Sequence, residues 1–151
     1  MLSGCKKEKP TTVDDTTESS YKIYVDDALL TESTSASLSI IDGNLMGGSK
    51  GNNDITFYMG NVPEVGSTVD VDYTAYSDDL YNGGDGSNFT TFSIIGNKID
   101  NVNPDAGKIE MFTGTVKRES KVKFVFEGTY YDHIISGSSL HDFHGEVIVG
   151  D

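Results

Sequence analysis

The chain has 151 residues, of which 24 are acidic and 11 are basic, so its formal net charge is −13. This balance argues against nucleic acid as a partner, because binding to phosphates depends on Lys and Arg. The single cysteine excludes an internal disulfide, and no apolar run approaches the roughly 20 residues that a membrane-spanning helix needs.

The first segment, residues 1–20, lacks the composition of a folded unit. From Lys6 to Ser20 it contains no aromatic residue, and Val13 is its one aliphatic residue. Such a segment cannot bury enough apolar surface to offset the entropy lost on ordering, so we expect a disordered tether. We therefore place the tether at 1–20 and a single folded domain at 21–151.

Beyond residue 20 the sequence alternates apolar and polar residues with a period of two, which is typical of strands with one buried face. The clearest example is Val69 to Tyr76. Gly, Asn, Asp and Pro separate the strands, and no helical period of useful length occurs. The eight predicted strands lie at 21–25, 37–40, 55–59, 69–76, 89–95, 109–116, 122–130 and 143–149.

Short strands at even spacing predict an all-β domain. Two arrangements are open, a single antiparallel β-sandwich and a partly open barrel, each of about eight strands. The polar turn Lys117–Ser120 joins two of these strands into a hairpin that carries Phe124 and Phe126 on one face.

No motif in the sequence points to catalysis. There is no Gly-x-Ser-x-Gly elbow, no His-Glu-x-x-His helix and no Cys-x-x-Cys pair. Ser138, Ser139, His141 and Asp142 are close in the chain, whereas the members of a catalytic triad converge from separate elements. We therefore expect a protein that is not an enzyme and that needs no cofactor.

The histidines suggest a metal site as one hypothesis. His141 and His144 would point to opposite faces of a strand, because side chains alternate. His133 and His141 instead flank a seven-residue connection, and with Asp132 or Asp142 they make a ligand set that suits zinc. Ordinary surface histidines are the simpler interpretation.

The segment 77–88 is the richest predicted loop. Its oxygen donors could surround a calcium ion, although their spacing differs from that of an EF-hand. The same residue types are common in any long connection between strands because they tolerate turns. The candidate donors are Asp78, Asp79, Asn82, Asp85 and Asn88.

Tyrosines near this segment suggest the recognition of a sugar. An aromatic ring offers a flat face for stacking, and Asp and Asn offer acceptors for hydroxyl groups. Tyr58 and Tyr76 lie on the polar side of predicted strands, and Tyr81 lies in the loop. Two alternatives are open: these side chains only stabilise cross-strand neighbours, or they contact an envelope protein.

The tetrapeptide Leu2-Ser3-Gly4-Cys5 resembles the lipobox of bacterial lipoproteins, in which the cysteine becomes the lipidated first residue of the mature chain. Only Met1 precedes it, so we expect the rest of a signal peptide upstream of the given start. A chance match in a cytosolic protein is the alternative. With the tether and the stretches Ile55–Tyr73 and Gly114–Asp132, the chain resembles small all-β lipoproteins of Bacteroidota.

This resemblance implies a protein of the cell envelope that is anchored through lipid on Cys5, in the outer membrane, with the leaflet left open. Two acyl chains are enough for stable anchoring, and the 15 residues from Lys6 to Ser20 would reach about 20 Å as a flexible chain. The resemblance implies a non-catalytic binding or structural module. Its partners would be the membrane and a glycan or an envelope protein.

Overall fold

The computed structural model describes residues 18–50, 54–99, 107–131 and 139–150. In these ranges the chain forms ten strands and one helix, which confirms the all-β prediction but exceeds the predicted eight strands. No helix within them is long and apolar enough to cross a membrane. The elements are β1 (Ser19–Val25), β2 (Ala28–Ile41), β3 (Asn44–Ser49), β4 (Thr56–Gly60), β5 (Thr68–Asp72), α1 (Tyr73–Tyr81), β6 (Thr91–Ile95), β7 (Lys108–Glu110), β8 (Thr113–Arg118), β9 (Lys123–Tyr131) and β10 (Leu140–Ile148).

All ten strands belong to one antiparallel sheet, in the order β5-β8-β9-β10-β1-β2-β3-β4-β6-β7. The sheet curls into a half-barrel, so that one face of the strands turns toward a shared interior. A single curled sheet resembles the predicted partly open barrel and differs from a sandwich, in which two sheets pack face to face.

The alternation of apolar residues decides which face is buried. In β1 the side chains of Tyr21, Ile23 and Val25 are buried, and in β4 those of Phe57 and Met59 are buried. This is the face that the period of two predicted. Because removing apolar surface from water is the main favourable term in folding, this face fixes the register of each strand.

Phenylalanine rings connect distant parts of the sheet across its interior. The ring centroid of Phe92 in β6 lies 4.5 Å from that of Phe126 in β9 and 5.8 Å from that of Phe143 in β10. Since β6 is far from β9 and β10 in the sheet order, these contacts depend on the curl. Tilted ring pairs at such distances are favourable beyond the burial of their area.

The two ends of the sheet meet where β7 leads into β8. Only Met111 and Phe112 separate these strands, yet β7 pairs with β6 whereas β8 pairs with β5 and β9. The amide of Met111 donates to the carbonyl oxygen of Phe92 (3.1 Å), and that of Phe112 donates to the carbonyl oxygen of Thr129 (2.8 Å). The carbonyl oxygen of Phe112 accepts from the amide of Tyr73 (3.0 Å). We call Met111–Phe112 the corner.

Several predicted strands were wrong in their extent, and one strand was not predicted. The predicted strand 37–40 is only the last part of β2, which begins at Ala28. The predicted strand 109–116 is divided by the corner, because its two parts pair with different strands. The predicted strand 69–76 ends at Asp72, where α1 begins. The prediction also missed β3, whose Gly47 breaks the apolar pattern; a Cβ there would lie 2.0 Å from the carbonyl oxygen of Ser37.

Truncating the corner residue Met111 should destabilise the fold strongly. Its side chain is 1% exposed, so Met111→Ala leaves a cavity and should lower the free energy of unfolding by about 3 kcal/mol. Met46→Ala is the matched control, because Met46 is 37% exposed and should change the free energy by less than about 1 kcal/mol. Chemical denaturation followed by circular dichroism measures both, and equal losses would contradict a structural role of the corner.

Candidate functional site

A cleft of about 210 Å³ lies between the segment formed by β5 and α1 and the strands β6 and β7. Its floor consists of Val71, Phe92 and Met111, which are all buried core residues. The cleft is smaller than the pockets of roughly 300–1,000 Å³ that hold drug-sized ligands. It is therefore suited to a small group such as one ring. We call it the seam cleft.

Strand register places Tyr58 on the wall of the seam cleft. Tyr58 in β4 is opposite Ser93 in β6, which is opposite Glu110 in β7. The neighbouring row, with Phe57 and Ile94, points into the core. Because side chains alternate along a strand, burial of that row turns the Tyr58 row outward. The Tyr58 side chain is 44% exposed.

The helix α1 supplies the opposite wall. The Oδ1 atom of Asp72 accepts a hydrogen bond from the amide of Ala75 (3.0 Å), which is the usual contact of a helix N-cap. The helix then presents Tyr73 and Tyr76 to the cleft. The ring centroid of Tyr76 lies 6.2 Å from that of Phe89 in an edge-to-face arrangement, which fixes its position.

Glycine is required beside Tyr76. Gly86 has a φ of +69°, and a Cβ on it would lie 2.4 Å from the Tyr76 ring. A side chain at this position would displace the ring and strain the backbone.

Charged side chains complete the cleft. Lys108 and Glu110 both line it, and their side chains form an ion pair. Asp72 also lines it, with one carboxylate oxygen engaged by the helix cap. The cleft therefore combines an apolar floor, tyrosine walls and a rim that can bind polar groups.

Two of the three predicted sugar-contact residues lie together in this cleft. Tyr58 and Tyr76 come from opposite walls. Tyr81 is not among the lining residues and is 92% exposed, at the end of α1. Tyr73 was not predicted as a contact, because the period of two put it on the same side of the predicted strand 69–76 as Val69 and Val71, the side expected to be buried.

The predicted loop 77–88 is helical up to Tyr81, which corrects that part of the prediction. Its carboxylates serve local turns: Asp79 Oδ2 accepts from the amide of Gly86 (3.0 Å), and Asp85 Oδ1 accepts from that of Ser87 (2.9 Å). Hydrogen bonds from Ser87 lower the pKa of Asp85, and the one from its side chain has the larger effect.

The other candidate calcium donors of this segment are Asp78, Asn82 and Asn88. The side-chain amide of Asn82 donates to the carbonyl oxygen of Asp78 (2.8 Å). In the part of the chain that the structure describes, no three His, Cys, Asp or Glu side chains are grouped to hold a metal ion. Calcium binding by this segment stays a prediction.

The candidate zinc ligands lie partly outside the described residues, since His133 and Asp132 fall within 132–138. His141 Nδ1 lies 2.6 Å from Oδ2 of Asp26. The amide of Asp142 donates to the other oxygen of Asp26 (3.1 Å). Zinc binding by this set stays a prediction.

His141 and His144 lie on opposite faces of β10, as alternation predicted. The ring of His141 stacks on that of Tyr130, which is buried in the interior (centroid distance 5.3 Å). The ring of His144 stacks on that of Tyr24 on the other face (4.9 Å).

Comparison with protein-family models, with curated proteins and with solved structures found no match to this chain. Cys5, the predicted lipidation residue, lies outside the described residues.

The pair of Asp26 and His141 should make stability depend on pH. The hydrogen bond between the two side chains is the largest of the effects that lower the pKa of Asp26. A carboxyl group with a lowered pKa stabilises the fold above its unfolded pKa of about 3.9 and loses that effect as the pH falls through the folded value. Wild type should thus be more stable than Asp26→Asn near neutral pH, and the two should converge well below pH ~3.9.

Denaturation at a series of pH values measures this difference. Asp27→Asn is the matched control, because both residues form the same turn with positive φ (47° and 63°), which Asn also tolerates. A constant difference between wild type and Asp26→Asn at all pH values would contradict the role of the carboxylate.

Proposed function

We propose that the protein is a non-catalytic binding module that takes a single sugar ring in the seam cleft. The observation that carries the proposal is the convergence of Tyr58, Tyr73 and Tyr76 around an apolar floor. A sugar ring has apolar C–H faces that stack on an aromatic side chain, and its hydroxyl groups need donors and acceptors at the edge.

The polar groups of the cleft support the same ligand class. Ser93 and Thr91 carry hydroxyl groups, and Lys108 and Glu110 provide an ammonium and a carboxylate. A few polar groups around an apolar surface are the usual composition of a small-molecule site. The volume of about 210 Å³ favours one ring of a glycan over a longer segment within the cleft itself.

Replacing the wall residue Tyr58 should weaken sugar binding. Tyr58→Ala removes one stacking surface, and we expect affinity to fall about tenfold, or ~1.4 kcal/mol. Tyr81→Ala is the matched control, because Tyr81 is 92% exposed and does not line the cleft. A glycan array identifies the ligand and titration calorimetry gives the affinities.

If Tyr58→Ala and Tyr81→Ala bind the sugar with equal affinity, the sugar does not bind in the seam cleft. A glycan array with no bound sugar would contradict the proposed function.

We also propose that the protein is a lipoprotein of the cell envelope, in the outer membrane, anchored through Cys5. The support is the run Leu2-Ser3-Gly4-Cys5 and the polar composition of the residues that follow it. The first strand begins at Ser19, so residues 6–18 separate the proposed anchor from the sheet. With a reach of about 20 Å, such a segment would hold the seam cleft near the membrane.

Removing the proposed lipidation site should release the protein. In cells that express the complete gene, Cys5→Ala should move the protein from the detergent phase to the aqueous phase, because the acyl chains are lost. Ser3→Ala keeps the cysteine and should leave the protein in the detergent phase. Intact mass spectrometry of the native chain checks the lipid directly, and a bare cysteine would contradict the anchor.

A further inference from the structure

We propose that the seam cleft selects an amino sugar that carries a positive charge over neutral and acidic sugars of the same ring. The inference rests on the proposed sugar-binding function and adds the charge of the ligand. It follows from three features of the walls: the sequence of the segment that builds them, the start of α1 and the ion pair on β7.

The segment 51–97 contains no Lys, Arg or His. It forms β4, β5, α1 and β6, which supply most of the cleft lining. Its carboxylates account for −7 of the formal charge of −13. They belong to Asp54, Glu64, Asp70, Asp72, Asp78, Asp79 and Asp85. Of these seven, Asp72 lines the cleft and the other six do not. Because more distant charges also add to the field of a cleft, a segment with seven carboxylates and no cation favours a cationic ligand over an anionic one.

The start of α1 would by itself favour an anion, because the N-terminus of a helix carries a partial positive charge and unpaired amides. Asp72 prevents this: its carboxylate already accepts from the amide of Ala75 (3.0 Å). Since Asp72 also lines the cleft, a ligand that approaches the helix meets a carboxylate. An acidic sugar at this position would be repelled.

The ammonium of Lys108 does not reverse this preference. It is the one cationic side chain among the described residues that line the cleft, and it forms an ion pair with Glu110. In the part of the chain that the structure describes, the charged side chains that line the cleft are Asp72, Lys108 and Glu110, and their formal charges sum to −1. An ammonium on the ligand compensates this charge, whereas a neutral sugar leaves it unpaired.

The test compares sugars that share a ring and differ in charge. Glucosamine, glucose and glucuronate, with the three corresponding galactose derivatives, are titrated into the full chain at pH 6 and low salt. We expect the amino sugar to bind about three- to tenfold more tightly than the neutral sugar, and the acidic sugar to bind more weakly still. High salt should reduce these ratios, because exposed charges are screened.

Variants locate the source of the preference. Asp72→Asn keeps a good N-cap residue while it removes the charge, and Glu110→Gln removes the second carboxylate. Each should weaken amino-sugar binding about three- to fivefold more than it weakens glucose binding, so that the preference for the amine falls. Lys108→Gln should act in the opposite direction and strengthen amino-sugar binding.

Asp85→Asn is the matched control, because it removes the same charge from the segment 51–97 at a position that does not line the cleft. It should change the preference less than Asp72→Asn does.

The outcomes separate this inference from the function on which it rests. Binding of neutral sugars with no preference for the amine, and with no effect of Asp72→Asn or Glu110→Gln, would overturn the inference and keep the proposed function. Tighter binding of glucuronate would overturn it as well. No binding of any sugar would overturn both.

Discussion

The structure depends on the hydrogen bonds by which the corner joins the two ends of the curled sheet. An open sheet leaves two edges with unpaired backbone groups, which proteins must cover or pair. Here consecutive amides, those of Met111 and Phe112, donate to Phe92 in β6 and to Thr129 in β9. The ring of Phe92, the same residue whose carbonyl oxygen accepts from Met111, contacts the rings of Phe126 and Phe143 across the interior. Backbone pairing and aromatic packing therefore hold the same two parts of the sheet together.

The seam cleft follows from this corner. Before the corner, β7 pairs with β6; after the corner, β8 pairs with β5. The helix α1 continues from β5 beside the gap between them, so that its first residues and the outward row of β4, β6 and β7 form opposite walls. Met111 is both a corner residue and part of the floor, which ties the shape of the site to the closure of the fold.

The sequence predicts the strands that bury one face and fails where pairing between distant residues decides the structure. Alternation predicted β1 and β4 and the outward position of Tyr58. The run 109–116 has strand propensity throughout, so nothing local marks the corner, which depends on partners such as Phe92 and Thr129. The helix had a local signal in the N-cap Asp72, but the alternation around it was stronger. For this reason Tyr73, Lys108 and Glu110 were not predicted as parts of one site.

Amide hydrogen exchange of the native protein, followed by NMR, tests the closure of the sheet most directly. If the corner joins the ends of the sheet, the amides of Met111 and Phe112 exchange only by global unfolding, as slowly as that of the core residue Phe126. If they exchange as fast as the amide of the exposed loop residue Asp85, the ends are not joined, and the seam cleft does not exist in solution.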